Sequence, residues 1–233
     1  MKQSSLGNKP TPPVGKLNGA KGVIFDLDGT LIDSLADICA FSNQILKKFG
    51  YPTHSLEMYF EWIGNGARKL IERACPSDID AATFDQLFAE YLHIYEHNHH
   101  TESDLYEGIP ELLDRLNAAK IPVAILTNKP HKVMLKTIES YFSKWEFIAV
   151  EGQQDGKPKK PDPAGALALA KLMQVEPSEM VFIGDSAVDV KTGNAAGMTS
   201  ICIMDGYETR ENIIAAQPDI MIEKHSELLN LWS

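Results

Sequence analysis

The stretch Gly22-Val23-Ile24-Phe25-Asp26-Leu27-Asp28-Gly29-Thr30 decides how the rest of the chain is read. Val23-Ile24-Phe25 is a short β-branched and aromatic run with no polar face, as in a strand buried on both sides. It stops at two carboxylates one residue apart, then a glycine and a threonine, residues that turn a chain rather than extend a strand. Similar apolar runs recur at Pro122–Leu126, Phe147–Val150, Met180–Ile183 and Ser200–Ile203, with a weaker one at Ile220–Ile222.

Helical periods separate these runs. They cover Ile109–Ala119, Lys129–Tyr141, Pro163–Met173 with a proline in the first turn, and Ser186–Ala196 closing at Gly197. The alternation predicts an α/β fold, a doubly wound parallel sheet that binds ligands outside the carboxyl ends of its strands. One interval breaks the pattern. After the first strand only helical signals follow: Leu35–Phe49, Leu56–Ala74 interrupted at Gly64-Asn65-Gly66, and Phe84–Tyr95. The expected organisation is therefore a flexible leader over 1–21, rich in Pro and Gly, an α/β core over 22–33 and 105–233, and a helical insertion over 34–104.

Composition narrows the partners. The chain has 233 residues, and 22 Lys and Arg against 32 Asp and Glu give a net charge of −10. That balance disfavours nucleic acid and anionic membrane surfaces as bulk partners. No run approaches the roughly 20 apolar residues of a membrane span, and no signal-peptide pattern opens the chain. Cys39, Cys75 and Cys202 are too few and scattered for a disulfide framework or a zinc site. Together these predict a cytoplasmic protein, monomer or homodimer.

Four features carry chemistry. Asp26 and Asp28 can converge if the chain curls at Gly29, and hard oxygen ligands there suit Mg2+, while paired carboxylates suit nucleophile and acid/base roles. On their own these residues are equally those of a helix-capping loop. Thr127-Asn128 ends the second strand pattern, where a hydroxyl and an amide can hold phosphoryl oxygens. Lys160 precedes a helix start, and Gly184-Asp185-Ser186-x-x-Asp189 follows another apolar strand and opens a helix. Each has a bland reading as a turn, a solvated lysine or a cap. All four in this order, each at a strand or loop end on the ligand-binding edge, point to a site that carries chemistry.

This constellation resembles the haloacid dehalogenase superfamily, over nearly everything from Gly22 to the C-terminus. The resemblance implies that Asp26 is the nucleophile that becomes an aspartyl phosphate and that Asp28 is the general acid/base. It implies that Thr127 and Lys160 bind the transferring phosphoryl group. Mg2+ would be held by Asp26, the Asp28 backbone carbonyl and Asp185, with Asp189 orienting Lys160 or a metal-bound water. The second aspartate, absent from the dehalogenases, favours phosphate esters, and the insertion corresponds to a mobile cap. Trp62 to Arg68, Thr127-Asn128-Lys129-Pro130, Gly206-Tyr207 and Gln217-Pro218-Asp219 further resemble the bacterial phosphoglycolate phosphatase family. That likeness implies a small phosphorylated metabolite as partner, 2-phosphoglycolate in the first place. A phosphosugar mutase of the β-phosphoglucomutase kind, or a phosphatase for another sugar phosphate or nucleotide, is the alternative.

In the cap, the backbone of Gly64, Asn65 and Gly66 is expected to approach the substrate and Arg68 to meet a carboxylate. The competing reading makes the loop a plain helix–helix turn and Arg68 a solvated side chain. Lys129 is a weaker candidate for the same role, its competing reading being a solvated lysine that opens a helix. His93, His97, His99 and His100 read as a solvated helix terminus rather than a metal site.

Overall fold

A computed structural model describes Gly15, Leu17 and residues 19–98 and 102–232. Strand β1 (Gly22–Phe25) is buried along its whole length. Val23 and Phe25 pack into one hydrophobic layer and Ile24 into another, the alternation a pleated strand imposes when both faces are covered. After it come a two-residue strand β2 (Ile32–Asp33), helices α1 (Leu35–Lys48), α2 (Leu56–Trp62), α3 (Ala67–Ala74) and α4 (Ala81–His97), and a two-residue strand β3 (Asp104–Leu105). The regular alternation then resumes with α5 (Ile109–Ala118), β4 (Val123–Pro130), α6 (His131–Tyr141), β5 (Ala149–Gln153), α7 (Ala164–Met173), β6 (Met180–Gly184), α8 (Ala187–Ala196) and β7 (Thr199–Ile203). Helix α9 (Arg210–Ala216), β8 (Ile220–Ile222) and a 3-10 helix over His225–Leu231 complete the chain.

Six strands form one parallel sheet in the order β5-β4-β1-β6-β7-β8, with β1 between β4 and β6. Phe25 lies beside both Ile125 and Ile183, so the residues that follow all three strands emerge together at one edge. That is the switch point where strand order reverses, and the place where such sheets bind ligands. Strands β2 and β3 pair antiparallel as a separate ribbon, Ile32 with Leu105 and Asp33 with Asp104. Between them α1–α4 bury a core of their own, including Phe41, Tyr59, Ile71, Leu87, Tyr91 and Tyr95. Val133 of α6 joins that cluster, which seats the helical cap on the α/β core.

Several expectations need correction. The expected strand over Phe147–Val150 starts later and runs into Glu151-Gly152-Gln153, because β5 is an edge strand and needs no continuous apolar sequence. Lys129 belongs to the end of β4 rather than to a helix, which begins at His131. The ribbon β2–β3 and helix α9 carry too few residues for a periodic signal. Most of the expected leader lies outside the described residues; near its end Gly15 and Leu17 donate backbone hydrogen bonds of 2.9 Å to Asn230 and Leu231, and Leu17 is buried. His99 and His100 also lie outside the described residues. Among the described residues no helix is long and apolar enough to cross a membrane.

Candidate active site

The loop after β1 curls back at Gly29, whose φ is +81° and whose added Cβ would fall 2.3 Å from Asp185 Oδ2. Gly206 is confined in the same way, with an added Cβ 2.2 Å from Asp185 Cβ. Both glycines let backbone close on one carboxylate. Asp185 is then fixed from two sides, by the Thr30 hydroxyl at 2.9 Å and the Tyr207 backbone N–H at 2.7 Å. His225, buried beneath the loop, bonds the Gly29 carbonyl at 3.0 Å and stacks on Tyr106.

Lys160 comes in from the loop ahead of α7 and is buried between two carboxylates, 2.6 Å from Asp189 and 2.8 Å from Asp26. Asp189 cannot swing away, because its other oxygen accepts from the Ser186 N–H at 3.1 Å and the Ser186 hydroxyl at 2.5 Å, the capping box of α8. The Asn128 amide bonds the Lys160 backbone both ways, accepting its N–H at 3.0 Å and donating to its carbonyl at 3.2 Å. Asn128 thus positions Lys160, where the sequence reading had its amide holding phosphoryl oxygens. Thr127 is buried at the end of the same strand, its hydroxyl accepting from the Lys129 N–H at 3.2 Å.

Carboxylate crowding dominates the electrostatics. Burial, and after it the Asp189 charge, push Asp26 up to about 7 while Lys160 pulls the other way. Burial, Asp189 and Asp26 raise Asp185 well above the carboxylate range. Burial works against the Lys160 charge, yet Asp189 and Asp26 outweigh it and hold the ammonium above an ordinary lysine. Carboxylate oxygens of Asp26, Asp185 and Asp189 lie within 4.8 Å of one another. Asp26 Oδ1 is buried and pairs with the Lys160 ammonium at 2.8 Å, a single cation shared with Asp189 against three carboxylates. An all-oxygen cluster short of positive charge fits a hard divalent cation.

Asp28 presents its carboxylate on the other side. Its Oδ1 accepts from the Ser34 hydroxyl at 2.6 Å and from Lys129 Nζ at 2.8 Å. Lys129 therefore does not face solvent: its side chain is 2% exposed, and Nζ also donates to the Tyr95 hydroxyl of α4. A cleft of about 730 Å³, counting its open mouth, lies between sheet edge and cap and is lined by Asp26, Asp28, Thr127, Asn128, Lys129 and Asp185 from the core. Gly64, Asn65 and Gly66 line it from the cap. They form the expected turn between α2 and α3 and lie against the core, where Lys159 Nζ donates to the Asn65 carbonyl at 3.2 Å.

Arg68 is placed elsewhere. It is exposed, pairs with Asp85 at 2.7 Å and covers the rings of Phe84 and Phe88 at 4.9 and 5.3 Å, so it does not line the cleft. His93 and His97 lie against each other with their rings tilted by 33°, exposed on α4, and take no part in the acidic cluster. Ser34, Thr30, Tyr95, Tyr207 and His225 also stand at the site, although their sequence context assigns them no role, and Lys129, a weaker candidate by sequence, is at its centre.

The family model for haloacid dehalogenase-like hydrolases matches residues 23–203. The chain belongs to that family. It is 33% identical over 222 residues to a phosphoglycolate phosphatase of Photobacterium profundum, covering 93% of this chain and 97% of that one. A phosphoglycolate phosphatase of Vibrio parahaemolyticus is 35% identical over 220 residues, covering 91% and 95%. A crystal structure from Haemophilus somnus, described as a predicted phosphoglycolate phosphatase, superposes with a TM-score of 0.82 at 29% identity, covering 92% of this chain and 99% of that one. These findings make the protein a phosphatase of the haloacid dehalogenase type, with the cleft between sheet edge and cap as its candidate active site.

Proposed function

We propose that the protein hydrolyses a small phosphomonoester with Mg2+, 2-phosphoglycolate to glycolate and phosphate, through an aspartyl phosphate on Asp26. The observation that carries the reading is the division of labour on one loop. Asp26 is paired with a fixed lysine at 2.8 Å, while Asp28, two residues on, faces a separate set of partners. An Asp26 oxygen attacks phosphorus, the bond to the leaving oxygen breaks, and that oxygen takes a proton from Asp28. Asp28 then removes a proton from water, which attacks the same phosphorus and returns Asp26 to its carboxylate. Ser34 and Lys129 hold one Asp28 oxygen, which leaves the other for these transfers.

Lys160 and Thr127 bind the phosphoryl oxygens, and Lys160 offsets the repulsion between Asp26 and the incoming dianion. Asp26, Asp185 and the Asp28 backbone carbonyl would hold Mg2+, with Asp189 behind them. When bound, Mg2+ supplies the positive charge that the carboxylate cluster lacks. The Gly64–Gly66 turn closes the cleft and keeps bulk water from the reacting centre. The choice of 2-phosphoglycolate rests on the names of the relatives at 33% and 35% identity. A cytoplasmic location follows from the same substrate class.

A phosphate-release screen over small phosphoesters with Mg2+, joined to trapping of a hydroxylamine-sensitive phosphoenzyme, tests this reading. The highest kcat/KM is expected for 2-phosphoglycolate. Faster turnover of sugar phosphates or nucleotides would overturn the substrate, and sugar-phosphate isomerisation without phosphate release would overturn hydrolysis.

A further inference from the structure

We propose that Lys129 binds a carboxylate on the leaving group, and so selects small phosphorylated carboxylic acids over neutral phosphoesters of equal size. The assignment rests on the cleft being a phosphomonoesterase site, and it names the residue that reads the substrate's second charge.

Three observations converge on this side chain. Lys129 is the sole cation among the described residues that line the cleft. Lys160 is committed between Asp26 and Asp189 at the phosphoryl end, and Arg68 is tied to Asp85 on the outer surface of the cap. Second, its side chain is 2% exposed, and an ammonium is costly to bury unless opposite charge and hydrogen bonds surround it. Third, two of its three N–H groups point to residues from the two sides of the cleft, Asp28 of the catalytic loop at 2.8 Å and the hydroxyl of Tyr95 in the cap. A lysine held from both sides is fixed in place like a binding group, not like a surface charge.

Position supplies the specificity. Asp28 is the group that meets the leaving oxygen, so a cation on Asp28 lies beside the leaving alcohol rather than beside phosphorus. A carboxylate entering there meets the Asp28 carboxylate, while the Lys160 charge is engaged by Asp26 and Asp189 at the phosphoryl end. Lys129 stands on the Asp28 side and offsets that repulsion, with its ammonium free to share between Asp28 and a second anion. The cap wall nearby offers Ile63, Leu70 and Tyr91, which carry no charge for an anion. Because Tyr95 helps to hold Lys129, recognition of the leaving group is complete only with the cap against the core.

The test compares 2-phosphoglycolate with 2-hydroxyethyl phosphate, an uncharged leaving group of similar size, in wild type, Lys129→Met and Lys129→Arg. The ratio of the two kcat/KM values should fall about 10- to 100-fold in Lys129→Met, the range for one charge-assisted hydrogen bond, mainly through KM for the carboxylate. Lys129→Arg should recover part of it. Any damage to Asp28 lowers kcat for both substrates and cancels in the ratio, so an unchanged ratio overturns the assignment. If Lys129→Met does not fold, Lys129→Gln carries the same comparison. Binding of the non-hydrolysable 3-phosphonopropionate, read by thermal shift, needs no turnover and should weaken about 10- to 100-fold in the same variants. Equal binding by wild type and variant overturns the role of Lys129 even where phosphate release is normal. Conversely, a wild type that prefers another phosphorylated acid, with that preference lost in Lys129→Met, overturns 2-phosphoglycolate and leaves Lys129 standing.

Discussion

The α/β core and the helical cap meet across one cleft but treat charge in opposite ways. In the core the site charges are buried and held by several bonds: the Lys160 and Asp189 side chains are 3% and 1% exposed, and each contacts the other as well as a second partner. In the cap the cations stay outside. Arg68 pairs with Asp85, Lys69 with Glu72, and Arg73 bonds the Trp62 carbonyl, all on exposed surface. What the cap sends into the cleft is the Gly64–Gly66 turn, apolar side chains such as Ile63 and Leu70, and the rings of Tyr91 and Tyr95. The site charges are thus gathered at the sheet edge, and the cap faces them with uncharged groups, the Tyr95 hydroxyl among them. Buried charges need fixed partners, which the ends of the parallel strands and the loops after them supply here.

The sharpest way to break this contrast is to remove core charge. Asp26→Asn should lower phosphate release by on the order of 10⁴-fold with the fold retained by circular dichroism, since no other carboxylate can take over as nucleophile. Asp28→Asn should cost about 10²–10⁴-fold. Near wild-type turnover in purified Asp26→Asn would end the assignment.

A second test uses pH on the core carboxylates. Asp26 titrates at about 7 in the folded protein against 3.8 as an ordinary carboxylate. Between those values the folded form keeps a proton that the unfolded chain has lost, so metal-free stability from this group declines as pH rises through that window. Metal binding requires the carboxylate, so Mg2+ affinity should rise with pH up to about 7, by up to about tenfold per pH unit, and level off above. The rise in Tm on adding Mg2+ should be larger at pH 7.5 than at pH 5.5. Equal increments would show that the ion is bound away from Asp26.

The smallest effect belongs to the cap. Arg68→Ala should change kcat/KM less than about twofold and stability by no more than about 1 kcal/mol, as expected of an exposed pair. A tenfold loss against 2-phosphoglycolate, with stability unchanged, would mean that Arg68 reaches the cleft after all and that the contrast is drawn too sharply.

The same contrast explains which residues were legible in the sequence. Asp26, Thr127 and Asp185 stand just beyond apolar strands, so pattern alone places them at one edge once the sheet is parallel. Lys160 and Asp189 were legible by their order along the chain, as was the helical segment after β1. Lys129 was legible only as a weaker candidate, because a lysine following Thr-Asn has the same local signature whether it reaches water or turns inward to Asp28. Its partner Tyr95 lies 34 positions earlier, at the far end of a helix whose apolar stripe reads only as core. Arg68 misled for the converse reason: a glycine-rich turn followed by arginine suggests an anion, but helix geometry carries the side chain to Asp85, Phe84 and Phe88. Tyr207 was legible only as part of the Gly206-Tyr207 likeness and with no role of its own, although its hydroxyl accepts the N–H groups of Ser34 and Leu35 at 2.7 and 3.1 Å while its own N–H holds Asp185.

The small ribbon of Ile32–Asp33 against Asp104–Leu105 has a wider consequence. Its register is that of an ordinary β-hairpin whose turn has been replaced by everything from Ser34 to Ser103. The two ends of that segment leave and re-enter as hairpin neighbours, so to the rest of the chain they look alike whether a short turn or four helices lie between them. Lengthening a closed loop costs entropy only logarithmically. The hairpin therefore acts as a socket: the segment it carries can be exchanged, enlarged or shortened over evolutionary time while the register that aims Asp26 and Asp28 stays put.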